Sequence, residues 1–536
     1  MFISTRHLFS RTLVASALCL SLAGFGSPAQ AQVTAFKQAI AEAASADSAV
    51  ASHYRSADYE PLWTVETDEG RARRAALLNA LESAHMHGLP DMGHVAERLR
   101  QQMADVRTTR DLGLVEVALS RAFVDYATDI QIGQVTPSKI DKGIVRELPE
   151  RDRSAYLSGL ERSAPSAFIN ALPPETREYR ALMKEKFRLE RLLVDGGWGS
   201  KVPVRKMEPG DTGEGVVALR NRLVRMGYLQ PTPSAAYDTA MQSAVQRFQL
   251  EHGLEADGIA GKGTITEMNV PVEKRLKSII VAMERERWMN KDRGTRHILV
   301  NQTDFTAKVI DDGAVTFVTR SVIGKNTSDR RSPEFSDEME HMVINPSWYV
   351  PRSIITKEYL PQLRANPHAV SHIEITDSRG RRVNRNAVDF SQYSARSFPF
   401  AMRQPPSSRN ALGLVKFMFP NKHNIYLHDT PHKSLFKHEV RAYSHGCIRL
   451  AQPFEFAYAI LARQEADPKG YFHSVLNTGK ETKVELDQKI PVHIIYRTAF
   501  TSPKGRMEYR RDIYDRDAKI WNALESKGVA LPSVQG

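Results

Sequence analysis

Asn424-Ile425-Tyr426-Leu427-His428 and, nineteen residues after its histidine, Cys447 in Ser444-His445-Gly446-Cys447-Ile448-Arg449 decide how this 536-residue chain is read. The first run has the alternation of a strand. Ile425 and Leu427 fall on one face, Tyr426 and His428 on the other. The apolar pair belongs to a core, so Tyr426 and His428 are expected to face a cleft. The chain has one other cysteine, Cys19, in an N-terminal stretch with the features of a cleaved export signal. An exported thiol with no disulfide partner needs another reason to be there. A neighbouring histidine can take its proton and make it a nucleophile. Gly446 lets backbone N–H groups approach a substrate carbonyl, as an oxyanion hole requires. Pro453 suits the first position of a helix, and a helix N-terminus close by would favour the thiolate.

The same residues admit blander readings. His428 fits a core histidine held by a hydrogen bond, and His432 and His438 fit loop positions. His428, His432, His438, His445 and Cys447 are also all zinc-ligand types. Pro431, however, breaks the helix that His428-x-x-x-His432 would need, and there is no second cysteine nearby and no H-E-x-x-H. No metal or other cofactor is expected.

Outward from this core, the pattern takes period two from about residue 296. Strands are predicted at 297–300, 305–310, 315–322, 341–345, 414–419, 424–428 and 492–497. Between them, residues 359–409 are polar and carry Pro361, Pro367, Pro399, Pro405 and Pro406. A loop-like insertion of this length is either a lid or a disordered segment. Residues 499–536 are predicted to be a tail with a helix at 512–524.

Upstream, 207–270 forms a compact unit after a Gly/Pro-rich linker. Val216, Leu219, Leu223 and Met226 mark one helix face, Gly227 its C-terminal cap. Asp238 caps a second helix with Met241, Ala244, Val245 and Phe248 inward. Residues 32–205 are mostly helical, with no chemical motif, and are expected to be a scaffold. Residues 1–31 combine Arg6 and Arg11, a short apolar core and Ala29-Gln30-Ala31, the layout of an export signal. The apolar core is too short to span a bilayer comfortably, and no later stretch reaches about 18 apolar residues. Export makes the net charge of +12 a poor match for nucleic acid. An anionic envelope polymer or surface is the expected partner.

Two resemblances add to this reading. Arg225-Met226-Gly227-Tyr228, Tyr237-Asp238, Ala244-Val245-Gln246-Arg247-Phe248-Gln249 and Asp257-Gly258-Ile259-Ala260-Gly261-Lys262 resemble the peptidoglycan-binding domain 1 family. His428, a gap and Ser444-His445-Gly446-Cys447-Ile448-Arg449 resemble the signature of L,D-transpeptidases with a YkuD-type catalytic domain. Asn345-Pro346-Ser347-Trp348-Tyr349-Val350-Pro351 and Asn410-Ala411-Leu412-Gly413-Leu414 support it. Arg449, where many short members have Asn, is similar to the larger periplasmic Gram-negative members.

The resemblance implies an α+β multidomain fold. It would have an N-terminal helical scaffold (32–205), a small three-helix peptidoglycan-binding module (207–270) and a mixed β-sandwich catalytic domain (296–498) with a lid. It implies a periplasmic enzyme of cell-wall biogenesis and cell shape that joins peptidoglycan tetrapeptide stems by 3→3 cross-links, releasing terminal D-Ala through a cysteine acyl-enzyme that carbapenems would also form. Cys447 would be the nucleophile and His428 the proton acceptor and donor. His445, Gly446 and Cys447 would contribute at the oxyanion site, within a motif that Ser444 opens. Tyr426 and Arg449 would line the donor site, Arg449 meeting either a substrate carboxylate or an internal acid. Residues 207–270 would dock the enzyme on the sacculus. The same residues also fit a thiol carboxypeptidase or endopeptidase, or attachment of a lipoprotein to peptidoglycan.

Overall fold

The computed structural model describes residues 28–532. The export-signal reading falls mainly on residues 1–27, outside the described residues, while Ala29-Gln30-Ala31 lies in the first turn of the helix Pro28–Ala44. Among the described residues no helix is long and apolar enough to cross a membrane.

Helices from Pro28–Ala44 to Arg177–Val194 form the N-terminal part. Its core includes Tyr54, Trp63, Leu77 and Phe123. One buried acid organises it. Glu116 accepts hydrogen bonds from the backbone N–H of Leu62 and Thr64 and from the Tyr54 hydroxyl. The next module packs Glu214–Arg225, Thr239–Glu251 and Lys262–Met268 around Val216, Leu223, Met241 and Phe248. Asp238 caps the second helix through the Met241 N–H at 2.8 Å. Gly227, just past the first, has φ +81°.

The sequence reading left residues 271–295 unassigned, yet Val272–Trp288 is a central helix, buried on almost every side. It packs against Arg177–Val194 and against the C-terminal helix Arg516–Glu525. Its Glu284-Arg285-Glu286-Arg287 run looks solvated but is buried, because each charge is paired. Arg287 meets Glu284 at 2.8 Å, Arg293 meets Glu286 at 2.8 Å, and Arg285 meets Glu334 and Asp517. Unpaired, such charges would be too costly to bury.

The C-terminal part is built on β1 (Arg296–Asn301), β2 (Thr306–Asp311), β3 (Ala314–Gly324) and β4 (Phe335–Ile344). After β5 (Trp348–Tyr349), β6 (Glu374–Thr376) and β7 (Ala401–Gln404) come β8 (Val415–Met418), β9 (Leu427–His428) and β10 (Ala442–Ser444). β11 (Ile448–Leu450) and β12 (Thr482–Ile495) complete the sheet, and β13 (Ala499–Thr501) and β14 (Met507–Tyr509) form a hairpin. The main sheet runs β10-β3-β11-β9-β8-β4-β12-β1-β2, and β2 also pairs with β3, so the ladder closes on itself. It is mixed, parallel at β1–β12, β9–β11 and β3–β10.

Three expectations need correction. The strand predicted at 424–428 is only β9, because Asn424 takes φ +53° in the turn before it. Residues 359–409 are not a structureless loop. They belong to a small folded unit that starts at Trp348, with sheet order β5-β7-β6 and a core of Trp348, Leu360, Leu363, Phe390, Phe398 and Met402. Its polar composition hid those few apolar anchors. Finally, the stretch from residue 499, expected as a tail with a helix, has that helix at Arg516–Glu525 but is packed into the fold. Ile520, Trp521 and Leu524 share a core with Ile279 and Met283.

Candidate active site

β9 and β11 lie side by side and parallel, with Leu427 opposite Ile448 and His428 opposite Arg449. The Ile448 N–H donates to the Tyr426 carbonyl at 3.1 Å. Ile425 and Leu427 are buried in the sheet core, while the rings of Tyr426 and His428 lie 5.6 Å apart on the other face. Of the two residues expected to face a cleft, His428 lines the cavity that also holds Cys447, whereas Tyr426 packs against the core of the insertion and Ile425 reaches the cavity wall instead.

Cys447 sits at the end of a tight loop, half-buried and with no disulfide. Gly446 takes φ +120°, a conformation that side chains resist. Ser444 staples the loop: its hydroxyl donates to the Cys447 carbonyl at 2.5 Å and accepts the Gly446 N–H at 3.1 Å. The Gly446 N–H, expected at the oxyanion site, is therefore already engaged. The Cys447 N–H meets no acceptor among the described residues.

The thiol is not activated in advance. Burial pushes Cys447 up to about 11, against the opposing pull of the Tyr426 backbone and hydroxyl donors and of Arg449. Burial, then the charge of Arg449, pushes His428 down to about 3, opposed by the carbonyls of Asp429 and Leu412. The site therefore holds a neutral thiol and a neutral imidazole. The helix expected after Cys447 does start at Pro453, with β11 between the two. His428 Nδ1 lies 2.5 Å from the Asp429 carbonyl. Only a protonated nitrogen can face that oxygen, so Nδ1 carries the hydrogen and Nε2 is left as the base. Asp429 anchors this turn: its carboxylate accepts from the Leu414 N–H at 2.9 Å, and a Cβ on Gly413 would collide with it.

Arg449 has no carboxylate partner among the described residues, and its Nε is buried without an acceptor. Of the two readings offered for it, the internal ion pair is absent. His445 is exposed and held by the folded insertion. Its Nε2 lies 2.6 Å from Glu358, whose same oxygen accepts from Arg330 at 2.7 Å. His432 lines the cavity, and the His438 ring packs 5.5 Å from that of Tyr443. Among the described residues, no three His, Cys, Asp or Glu side chains are grouped as metal ligands would be.

Arg330, His428, His432, His445, Cys447 and Arg449 line a cavity of about 470 Å³, to which the insertion contributes Trp348, Ile354, Glu358 and Tyr359. Asn410, fully buried, fixes the base of the roof by reaching the carbonyls of Pro346, Gln404 and Pro405. Arg330 and Glu358 escaped the sequence reading, because isolated charges in polar stretches carry no pattern.

A family model described as "L,D-transpeptidase catalytic domain" (YkuD) matches residues 295–485. Residues 295–485 of this chain thus match an L,D-transpeptidase catalytic domain. A scaffold-domain model matches residues 48–185, and a model described as "Putative peptidoglycan binding domain" matches 212–268. A Haemophilus influenzae protein named "Putative L,D-transpeptidase" is 31% identical over 225 residues. That match covers 42% of this chain and 45% of the relative, less than half of either. Crystal structures of L,D-transpeptidases from Xylanimonas cellulosilytica DSM 15894 and Stackebrandtia nassauensis align at 13% and 15% identity, with TM-scores of 0.17 and 0.21. Each covers 55% of this chain, and 98% and 97% of the respective structure is matched. β9, the Cys447 loop and the cavity all lie within the residues matched by the L,D-transpeptidase model.

Proposed function

We propose that this protein is a periplasmic L,D-transpeptidase that makes 3→3 cross-links between peptidoglycan stems. The observation that carries this reading is the composition of one cavity: a lone thiol, a histidine whose Nδ1 is turned to the Asp429 carbonyl, a backbone N–H at Cys447 that meets no acceptor among the described residues, and an arginine with no carboxylate partner among them. Chemically, these are a nucleophile, a base, an oxyanion donor and a carboxylate anchor.

A donor tetrapeptide enters with its terminal carboxylate toward Arg449. Cys447 Sγ attacks the carbonyl of the third residue, meso-diaminopimelate, as its proton passes to His428 Nε2. Because neither group is ionised beforehand, proton transfer accompanies attack. The Cys447 N–H faces the oxyanion that forms. The C–N bond breaks, the nitrogen takes the proton from His428, and D-Ala leaves. A thioester remains. The side-chain amine of a second stem attacks it and gives a proton to His428, which returns it to the departing Cys447 sulfur. Water attack would yield only a trimmed stem, and the roof over the cavity works against it. Residues 207–270 hold the enzyme on the sacculus, helped by the basic chain.

The test is incubation with purified tetrapeptide muropeptides and mass analysis of the products. Cross-linked dimer plus free D-Ala is expected. Tripeptide alone would overturn transpeptidation in favour of hydrolysis, and transfer only to a lipoprotein lysine would reassign the acceptor. Carbapenem should add one drug equivalent to the intact protein and none to Cys447→Ala.

A further inference from the structure

Ser332, in the turn between β3 and β4, is fully buried behind the nucleophile loop. Its hydroxyl donates to the Gly446 carbonyl at 2.6 Å and accepts the Gly324 N–H at 3.0 Å. The peptide between Gly446 and Cys447 is planar, with its C=O and N–H pointing in opposite directions. Holding the Gly446 carbonyl toward Ser332 therefore aims the Cys447 N–H the other way. That is the N–H that meets no acceptor among the described residues. Gly446 alone would leave this plane loosely defined, since glycine has the broadest conformational range.

Ser332 is in turn gripped from the far end of the chain. The Tyr514 hydroxyl accepts the Ser332 N–H at 3.4 Å and donates to the Gly324 carbonyl. The buried guanidinium of Arg516 donates to the Ser332 carbonyl at 2.9 Å and meets Glu334 at 3.3 Å. Glu334 is also paired with Arg285 of the central helix, which holds Asp517 as well. A Cβ on Gly324 would lie 1.9 Å from the Arg330 carbonyl, so the turn closes tightly on itself. Tyr514 and Arg516 lie beyond residues 295–485, the part matched as the catalytic domain.

We infer that Ser332 is a positioning residue for the acyl-transfer reaction, and that the C-terminal segment acts through it, by Tyr514 and Arg516, to set the aim of the Cys447 N–H at the oxyanion. Neither Ser332 nor Tyr514 touches substrate. This inference rests on the thiol acyl-transfer reading above.

Two reactions of the same thiol separate aim from general damage. Carbapenem acylation passes through a tetrahedral oxyanion, whereas alkylation by iodoacetamide develops none. Both rates are measured on the full-length protein at one pH, with thermal unfolding followed in parallel. Removing an oxyanion donor outright costs about 10²–10³-fold, so misaiming it in Ser332→Ala should slow acylation about 10- to 100-fold. Alkylation should stay within about twofold. Tyr514→Phe, which keeps the ring and its packing, should show the same selective loss at about 3- to 10-fold, and Ser332→Thr, which keeps the hydroxyl, should restore most of the rate. Unchanged acylation in Ser332→Ala and Tyr514→Phe would overturn the inference, as would equal losses in both reactions. If Ser332→Ala fails to fold, Tyr514→Phe decides alone. Wild-type protein that is alkylated but never acylated would instead overturn the acyl-transfer reading beneath it.

Discussion

Raising the pH from 6 to 10 should speed alkylation of Cys447 by about tenfold per unit, with no plateau on the acid side. In protein without the export stretch and its Cys19, the perturbation acts on a single thiol, because Cys447 is the one cysteine among the described residues. Burial pushes its thiol up to about 11, so at pH 7 roughly one molecule in 10⁴ is thiolate. An ordinary thiol near 8.5 would be roughly 3% ionised, about 300 times more. The more basic thiolate is intrinsically more nucleophilic, which returns about one order of magnitude. The net expectation at pH 7 is alkylation about 10- to 30-fold slower than for a free cysteine. The assay is iodoacetamide labelling followed by intact mass, from pH 6 to 10. His428→Ala supplies the second arm. A neutral imidazole held near 3 does not ionise the thiol, so alkylation should change by less than about threefold. Carbapenem acylation needs a proton acceptor and should fall by about 10²–10⁴. A rate plateau below pH 7, or alkylation that collapses in His428→Ala, would mean a preformed thiolate–imidazolium pair and would refute the reasoning.

Other outcomes follow from the same structure. Arg449→Ala should lower kcat/KM about 10- to 100-fold for donors with a free terminal carboxylate, and far less for amidated donors, without lowering Tm, since no internal ion pair is lost; equal losses on both donors would argue against carboxylate recognition. Replacing residues 350–402 with a Gly/Ser turn between the paired β5 and β7 should raise tripeptide relative to dimer while acylation of Cys447 by a small donor persists, and an unchanged ratio in muropeptide digests would remove the lid role. His493 is buried and pushed down to about 4, first by burial. Its folded value lies below the unfolded one near 6.5, so its contribution is complete above pH 6.5 and is lost as pH falls toward 4. In urea titrations the stability gap between wild type and His493→Gln should therefore shrink by about 2 kcal/mol from pH 8 to pH 5, and a widening gap would reverse that sign.

Sequence alone singled out Cys447 and His428 as the candidate pair, together with their surroundings along the chain. The alternation of residues 424–428 put Tyr426 and His428 on one face because side-chain direction in a strand follows from backbone geometry. Helix periodicity and caps likewise revealed the 207–270 module, whose contacts are local. Only the tertiary structure decided the rest. The protonation of Cys447 and His428 depends on how much water the fold removes, which no motif records. The unpaired state of Arg449 depends on which acids the fold fails to bring near it. The grip of Glu358 on His445, of Ser332 on Gly446 and of Tyr514 on Ser332 joins residues 87, 114 and 182 positions apart, and single polar residues leave no periodic trace. The Glu284-Arg285-Glu286-Arg287 run has the composition of a solvated face. Its burial is possible only because Arg293, Glu334, Arg497 and Asp517 converge on it from elsewhere in the chain.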